Sequence, residues 1–312
     1  NGSGSDSNLL VSPASVSIAL GMTWDGAAGA TEQEMRETLG YGELSADEIR
    51  AGYRDWLTYL SCASPEVEME YANAVWYSEV LEGDLVPDFV THSEESFFAP
   101  VAPFPEDDPV GYINGWIEQR THGLISDMLD SLDYCMMLLV NALYFRAEWE
   151  SRLETLEEHG VFHAASGDLD VARIGADSAF PYAETEAYQA ARIPYSGATH
   201  AMTIILPAEG GDADAVLASL NGSSFAALEE SMLSTELALS LPRFQMAYGA
   251  VDLKSGLADL GMTTAFGEDA DFSGIFQSEP VSIGFVLHQA FVAVTEEGTE
   301  AAAATIVGMD SG

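Results

Sequence analysis

The side chains able to do chemistry here are six histidines, two cysteines, the serines and 51 carboxylates, and their spacing decides which chemistry is open to them. His159 and His163 lie four apart beside Glu157 and Glu158, a spacing that on a helix would aim both imidazoles at one zinc ion. Gly160, Val161 and Phe162 between them read instead as a loop entering a strand, which would spoil that geometry. No G-x-S-x-G elbow, H-E-x-x-H pair or Gly-rich phosphate loop occurs. With no nucleophile and base at a recognisable spacing, the chain reads as a non-enzyme that needs no metal or cofactor. Cys62 and Cys135 lie far apart, form neither a disulfide framework nor a C-x-x-C site, and read as two buried thiols. His288 interrupts the apolar stretch Phe285–Phe291, where a histidine is usually a hydrogen-bonded core residue.

A second kind of chemistry is mechanical. Residues 295–312 follow an apolar run and contain no proline. Laid out as a strand, Thr299, Ala301, Ala303, Thr305 and Val307 share one face, while Glu300, Ala302, Ala304, Ile306 and Gly308 share the other. Such a segment can donate every N–H to a sheet ladder, and its small side chains can enter a packed interior without rotamer strain. Four consecutive alanines also favour helix, and a tail of Gly, Ala and Ser is equally a linker composition.

The elements that must position these residues are legible from caps and periodicity. Ser12-Pro13 starts a helix through Ile18 and Leu20 toward Gly26. Thr31-Glu32-Gln33-Glu34 and Ser45-Ala46-Asp47-Glu48 both have the form of capping boxes. The first precedes Met35, Leu39 and a stop at Gly40. The second precedes Ile49, Tyr53, Trp56, Leu57 and Leu60, a core stripe at helical spacing. Val67 to Tyr77 is rich in strand formers, and Asp108-Pro109 opens a helix carrying Ile113, Trp116 and Ile117. Cys135 to Phe145 is almost continuously apolar, as expected of a strand covered on both faces. Strands are predicted at Ala201 to Leu206, Glu236 to Ser240 and Val281 to Val294, with a helix near Val251 to Leu260 that ends at Gly261. No internal repeat or domain-scale linker interrupts these elements, so they read as one α+β domain.

Composition narrows the partners. The net charge of −41 leaves nothing to neutralise a row of phosphates, which excludes nucleic acid, and it disfavours anionic membrane surfaces. Lys254 is the only lysine, and the acidic excess runs along the whole chain, the pattern of a salt-loving source. At about 1 M salt the Debye length falls to about 3 Å, which screens self-repulsion that would loosen the fold in dilute buffer. No run of 18 apolar residues occurs, and Asn1–Ser7 reads as a loop rather than a true start, which leaves room for an export signal upstream. Asn221-Gly222-Ser223 fits a glycosylation acceptor, a pattern short enough to arise by chance.

Glu296-Glu297-Gly298-Thr299-Glu300-Ala301-Ala302-Ala303-Ala304-Thr305 closely resembles the reactive-loop hinge of inhibitory serpins. The resemblance covers the chain. It extends through Asn8–Ser15, Gly26–Thr31, Ile113–Ile117 with Thr121–Ile125, Leu139–Phe145, Leu241–Phe244 and Ala270–Ile275, in family order. At Val171–Ile174 the family usually carries methionines, and this chain does not. The resemblance implies a serpin fold over residues 1–312, with three β-sheets, surrounding helices and a reactive loop, lacking the family's first helix and the strands after that loop. It implies a suicide inhibitor of a serine protease, or of some cysteine proteases, with a non-inhibitory chaperone, carrier or storage serpin as the alternative. It places Ser12, Ser15, Asn141 and His288 in the polar shutter under the central sheet and Trp149 at the breach where insertion begins.

In inhibitory serpins the glutamate matching Glu296 lies seventeen residues before the scissile bond, and Glu296 to Gly312 inclusive is seventeen residues. Gly312 is therefore the expected bait residue, suited to a subtilisin-like or elastase-like enzyme. The loop is expected to be cleaved and inserted from Thr299 to about Ser311, with the C-terminal peptide as a separate chain. A monomer at an extracellular or cell-surface location completes what the resemblance implies.

Overall fold

The computed structural model describes residues 8–62, 64–164 and 167–311. In chain order the helices are α1 (Pro13–Asp25), α2 (Gly29–Thr38), α3 (Ala46–Cys62), α4 (Pro87–Ser96), α5 (Pro109–Arg120), α6 (Ala213–Ser219), α7 (Gly222–Ser231) and α8 (Lys254–Asp259). The strands are β1 (Val67–Tyr77), β2 (Val101–Pro103), β3 (Cys135–Glu148), β4 (Glu154–Thr155), β5 (Gly160–Ala164), β6 (Gly167–Val171) and β7 (Arg173–Glu184). They continue with β8 (Tyr188–Pro194), β9 (Ala201–Pro207), β10 (Leu233–Pro242), β11 (Phe244–Asp252), β12 (Val281–Val294) and β13 (Gly298–Ser311).

Among the described residues these strands form three sheets. The largest has six, in the order β11-β12-β13-β3-β1-β2. The second runs β10-β7-β8-β9 with β4 added against β7, and the third is the hairpin β5-β6. The segment predicted to insert is therefore a central strand. From Thr299 to Met309 it pairs antiparallel with β12 on one side and β3 on the other.

Both faces of that sheet are covered, which is why β3 could be almost continuously apolar. Ile18, Leu20 and Met22 of α1 share one core with Met137, Leu139, Val307 and Met309. Ile113 and Ile117 of α5 share a second core, on the opposite face, with Leu138, Val140, Ala302, Ala304 and Ile306. The alternation expected of residues 299–308 is thus observed, with Thr305 and Val307 on the α1 side and Ala302, Ala304 and Ile306 on the α5 side. A third core joins one end of the largest sheet to the second sheet through Trp149, Tyr195, Ile174 and Leu241.

Local chemistry explains the boundaries. Ser12 caps α1 by accepting from the Ser15 amide at 3.3 Å, with Pro13 in the first turn. Ser45 and Glu48 form the expected reciprocal box, Glu48 Oε2 accepting from the Ser45 amide at 2.8 Å. The box at Thr31 does not form. Helix α2 already begins at Gly29, which puts Thr31 inside it, where its hydroxyl accepts from the Asp271 amide at 2.9 Å, while Glu34 turns away to the amides of Thr263 and Thr264. Val251 belongs to β11, so the predicted helix there starts only at Lys254. Asn221 caps α7 by accepting from the amides of Ser223 and Ser224.

Cys62 is a further correction. Cys135 is buried as expected, but Cys62 is exposed on the last turn of α3. His159 and His163 flank and occupy strand β5, and each pairs with a different aspartate, Asp170 at 3.0 Å and Asp168 at 2.6 Å, rather than converging.

Candidate functional site

The functional geometry is the set of contacts that β13 makes in the largest sheet. Its alanines Ala302, Ala303 and Ala304 are at most 4% exposed, and Thr305, Ile306, Val307 and Met309 are fully buried. Side chains of this size leave backbone pairing to hold the strand. The few polar groups on it therefore mark how it is recognised.

Thr305 is the centre of the lower cluster. His288 Nε2 accepts from the Ser12 amide at 3.0 Å, which leaves the ring proton on Nδ1 to donate to Thr305 Oγ1 at 2.9 Å. Thr305 Oγ1 also meets Ser15 Oγ at 2.9 Å. Burial pushes the His288 pKa down to about 4, in keeping with a neutral ring serving as acceptor and donor at once. Asn141 stands opposite Thr305 in the ladder, yet its amide donates to Asn73 Oδ1 at 2.8 Å, and Asn73 in turn donates to the Phe97 carbonyl. The expected four-residue cluster is thus two neighbouring networks. Ser15 and His288 meet at Thr305, with Ser12 joined through the His288 ring, while Asn141 joins Asn73, a partner that its spacing in the sequence does not reveal.

The upper end is built around Trp149. Its indole Nε1 donates to the Thr295 carbonyl at 2.9 Å, its amide donates to Glu297 O at 3.0 Å, and its ring stacks on Tyr195 with centroids 4.6 Å apart. Tyr195 Oη then donates to Thr299 Oγ1 at 2.8 Å, which fastens the first residues of the inserted strand. Burial pushes the Tyr195 hydroxyl up to about 12. Glu300 accepts from Tyr144 Oη at 2.8 Å, and His122 stacks flat on the Tyr144 ring at 3.9 Å. Glu297 pairs with Arg152 at 3.2 Å on the surface, and Glu296 faces Arg243 at 3.8 Å.

Gly298 has an extended backbone, so it is needed for close approach and not for a turn. A methyl group there would overlap the Ala147 carbonyl of β3. Gly312 lies outside the described residues. His122, with Glu68 and Glu70, also forms an exposed group whose candidate ligand atoms lie within 4.8 Å of one another. The sequence has no spacing that would reveal it, because the sheet and the end of α5 bring these residues together.

A family model described as serpin (serine protease inhibitor) matches residues 1–311. The chain belongs to the serpin family. An uncharacterized serpin-like protein of Thermococcus kodakarensis is 35% identical over 97% of this chain and 72% of its own length. The latent-state structure of Tengpin, a thermophilic serpin, is 30% identical with a TM-score of 0.87, covering 96% of this chain and 83% of that one. Reactive-loop-cleaved human thyroxine binding globulin shares the fold with a TM-score of 0.90 at 24% identity, covering 98% and 92%. The serpin fold expected from the sequence is therefore the fold of this molecule, and loop-cleaved structures are among its neighbours. Serpins are generally protease inhibitors rather than catalysts.

Proposed function

We propose that this serpin inhibits a serine protease of the subtilisin-like or elastase-like kind as a suicide substrate. The observation that carries the reading is the fit of Gly298–Ser311 between β3 and β12, with no side chain from Ala301 to Met309 that a sheet interior would reject. Insertion of a cleaved loop as an extra strand is the family's general device and is taken over from the family rather than derived from this chain. The protease serine attacks the carbonyl of the bait residue, Gly312 by the hinge count, and forms an acyl ester as the following peptide leaves. The segment from Gly298 onward then enters the sheet and carries the attached enzyme to its far end before water can release it.

Within this reading the named residues have distinct tasks. Glu296–Thr305 form the hinge, where small side chains permit entry. Trp149 and Tyr195 form the breach that receives Thr299 first. In the shutter Ser15 and His288 supply the hydrogen bonds that Thr305 takes up on arrival, the Ser12 amide holds the His288 ring, and Asn141 with Asn73 lines the neighbouring strands. The uniform acidity supports a halophilic prokaryotic source, and an extracellular or cell-surface site of action is taken over from the family. The test is incubation of the full-length protein with subtilisin. Time-dependent loss of protease activity with an SDS-stable complex supports inhibition. Clean cleavage without a complex would favour the non-inhibitory alternative of a chaperone, carrier or storage serpin.

A further inference from the structure

A strand made of small residues is a poor keeper of its own register. A slip of two residues returns every side chain to its original face, and Ala301–Ala304 would fit either way. The upper half of β13 is held by Thr299, Glu300 and Thr305 through the contacts described above. The lower end is held differently, by side chains laid over glycines. Phe285 of β12 lies over Gly308, where a methyl group would overlap the ring, and Asp310 lies over Gly284, where a methyl group would overlap the carboxylate. The ladder shifts register at the same place, between Ile283 and Phe285 toward β12 and between Met309 and Asp310 toward β3.

Lys254, the chain's only lysine, reaches this bulge from α8. Its Nζ donates to the carbonyls of Ile283 at 3.3 Å and Gly284 at 3.2 Å and sits 5.4 Å from the centre of the Phe266 ring. One carboxylate oxygen of Asp310, Oδ1, is buried without a hydrogen-bond partner, and the nearby Lys254 charge offsets that burial only in part. From β3 the facing titratable group is the Cys135 thiol, which burial and the Asp310 charge push up to about 12. From β12 the ladder partner is Ser282, which carries no charge.

We propose that Lys254, Gly284 and Asp310 form an end clasp that fixes the register and depth of the inserted strand, making Lys254 a positioning residue for insertion and the reactive segment selective for a carboxylate at 310. The proposal rests on the reading that this segment inserts during inhibition. Burial holds the Asp310 carboxyl above its ordinary range, so the clasp should depend on Lys254 most where the carboxylate is ionised and least in acid.

The test uses the full-length protein, intact and nicked after the bait residue, and compares melting temperatures of Lys254→Met, Asp310→Asn and the double variant. Lys254→Met should lower the melting temperature of the nicked form more than that of the intact form, because the lysine's bonds to the Ile283 and Gly284 carbonyls do not involve the inserted segment. The loss should shrink in the Asp310→Asn background and also on acidification. Protease trapping gives a second readout, in which the effect of Lys254→Met on the ratio of trapped to released enzyme should differ at least about twofold between the parent and the Asp310→Asn background. Gly284→Ala, which sets a methyl group against the Asp310 carboxylate, should raise the fraction released. Equal losses in both backgrounds, or a Gly284→Ala variant that traps like the parent, would overturn the clasp. A parent protein that traps no protease contradicts the proposed function instead, and the nicked-form melting comparison then decides the clasp by itself.

Discussion

His288→Ala removes the acceptor for the Ser12 amide and the donor to Thr305, and so leaves two polar groups under the sheet short of a partner. The expected loss is about 1–3 kcal/mol, read by thermal melting, with heat-induced polymers or latent protein forming sooner. An unchanged melting profile and polymerisation rate would remove His288 from the shutter. Its titration also has a definite sign. The folded pKa of about 4 lies below the ordinary 6.5, so the unfolded chain takes up a proton before the folded one does. Stability from the neutral ring is complete above pH 6.5 and falls away as the pH drops from 6.5 toward 4, by an amount on the order of 3 kcal/mol. His288→Gln should flatten that slope in a pH series of melts. Thr299→Arg addresses the other end of the strand. It would push a charge into a position 5% exposed, beside Tyr195, and should convert inhibitor to substrate while the loop stays cleavable.

The inserted strand is where sequence and structure agree most closely and where the limits of a one-dimensional reading show. Strand ends at Val67, Tyr77, Val281 and Val294 could be read from composition, because β-branched and aromatic runs bounded by polar turns leave little choice. The hinge faces could be read from alternation alone. Asn73 could not be found, since its partner Asn141 is 68 residues away and only the antiparallel register of β1 with β3 joins them. Thr31 misled for a related reason. Its spacing to Glu34 fits a cap, but Asp271, 240 residues on, claims the hydroxyl. Gly298 and Gly284 resist sequence reading because their need arises from a neighbouring backbone or carboxylate and not from a turn. At this scale Ala303→Pro is the sharpest perturbation. It deletes a ladder donor in the middle of a central strand, so the variant should be cleaved at the parent's rate yet yield released protease. Retention of the parent's trapping stoichiometry would show that insertion is not the working step.

Charge acts on the molecule as a whole. Fifty-one acidic residues against ten basic ones leave few opportunities for pairing, so repulsion among carboxylates opposes the compact state wherever salt does not screen it. Between 0.1 M and 1 M salt the Debye length falls from about 10 Å to about 3 Å, and the melting temperature should rise across that range. Equal stability in dilute buffer would remove the argument for a saline source. Inhibition assays belong in high salt for the same reason, since a sheet loosened by repulsion would insert its loop without any protease. The most direct test of the account is the intact mass of the product formed when the full-length protein meets subtilisin in high salt. The account predicts a covalent adduct whose mass is that of the protease plus the serpin without its C-terminal peptide, with the ester carried by Gly312. A product consisting only of nicked serpin and free, active protease would contradict it.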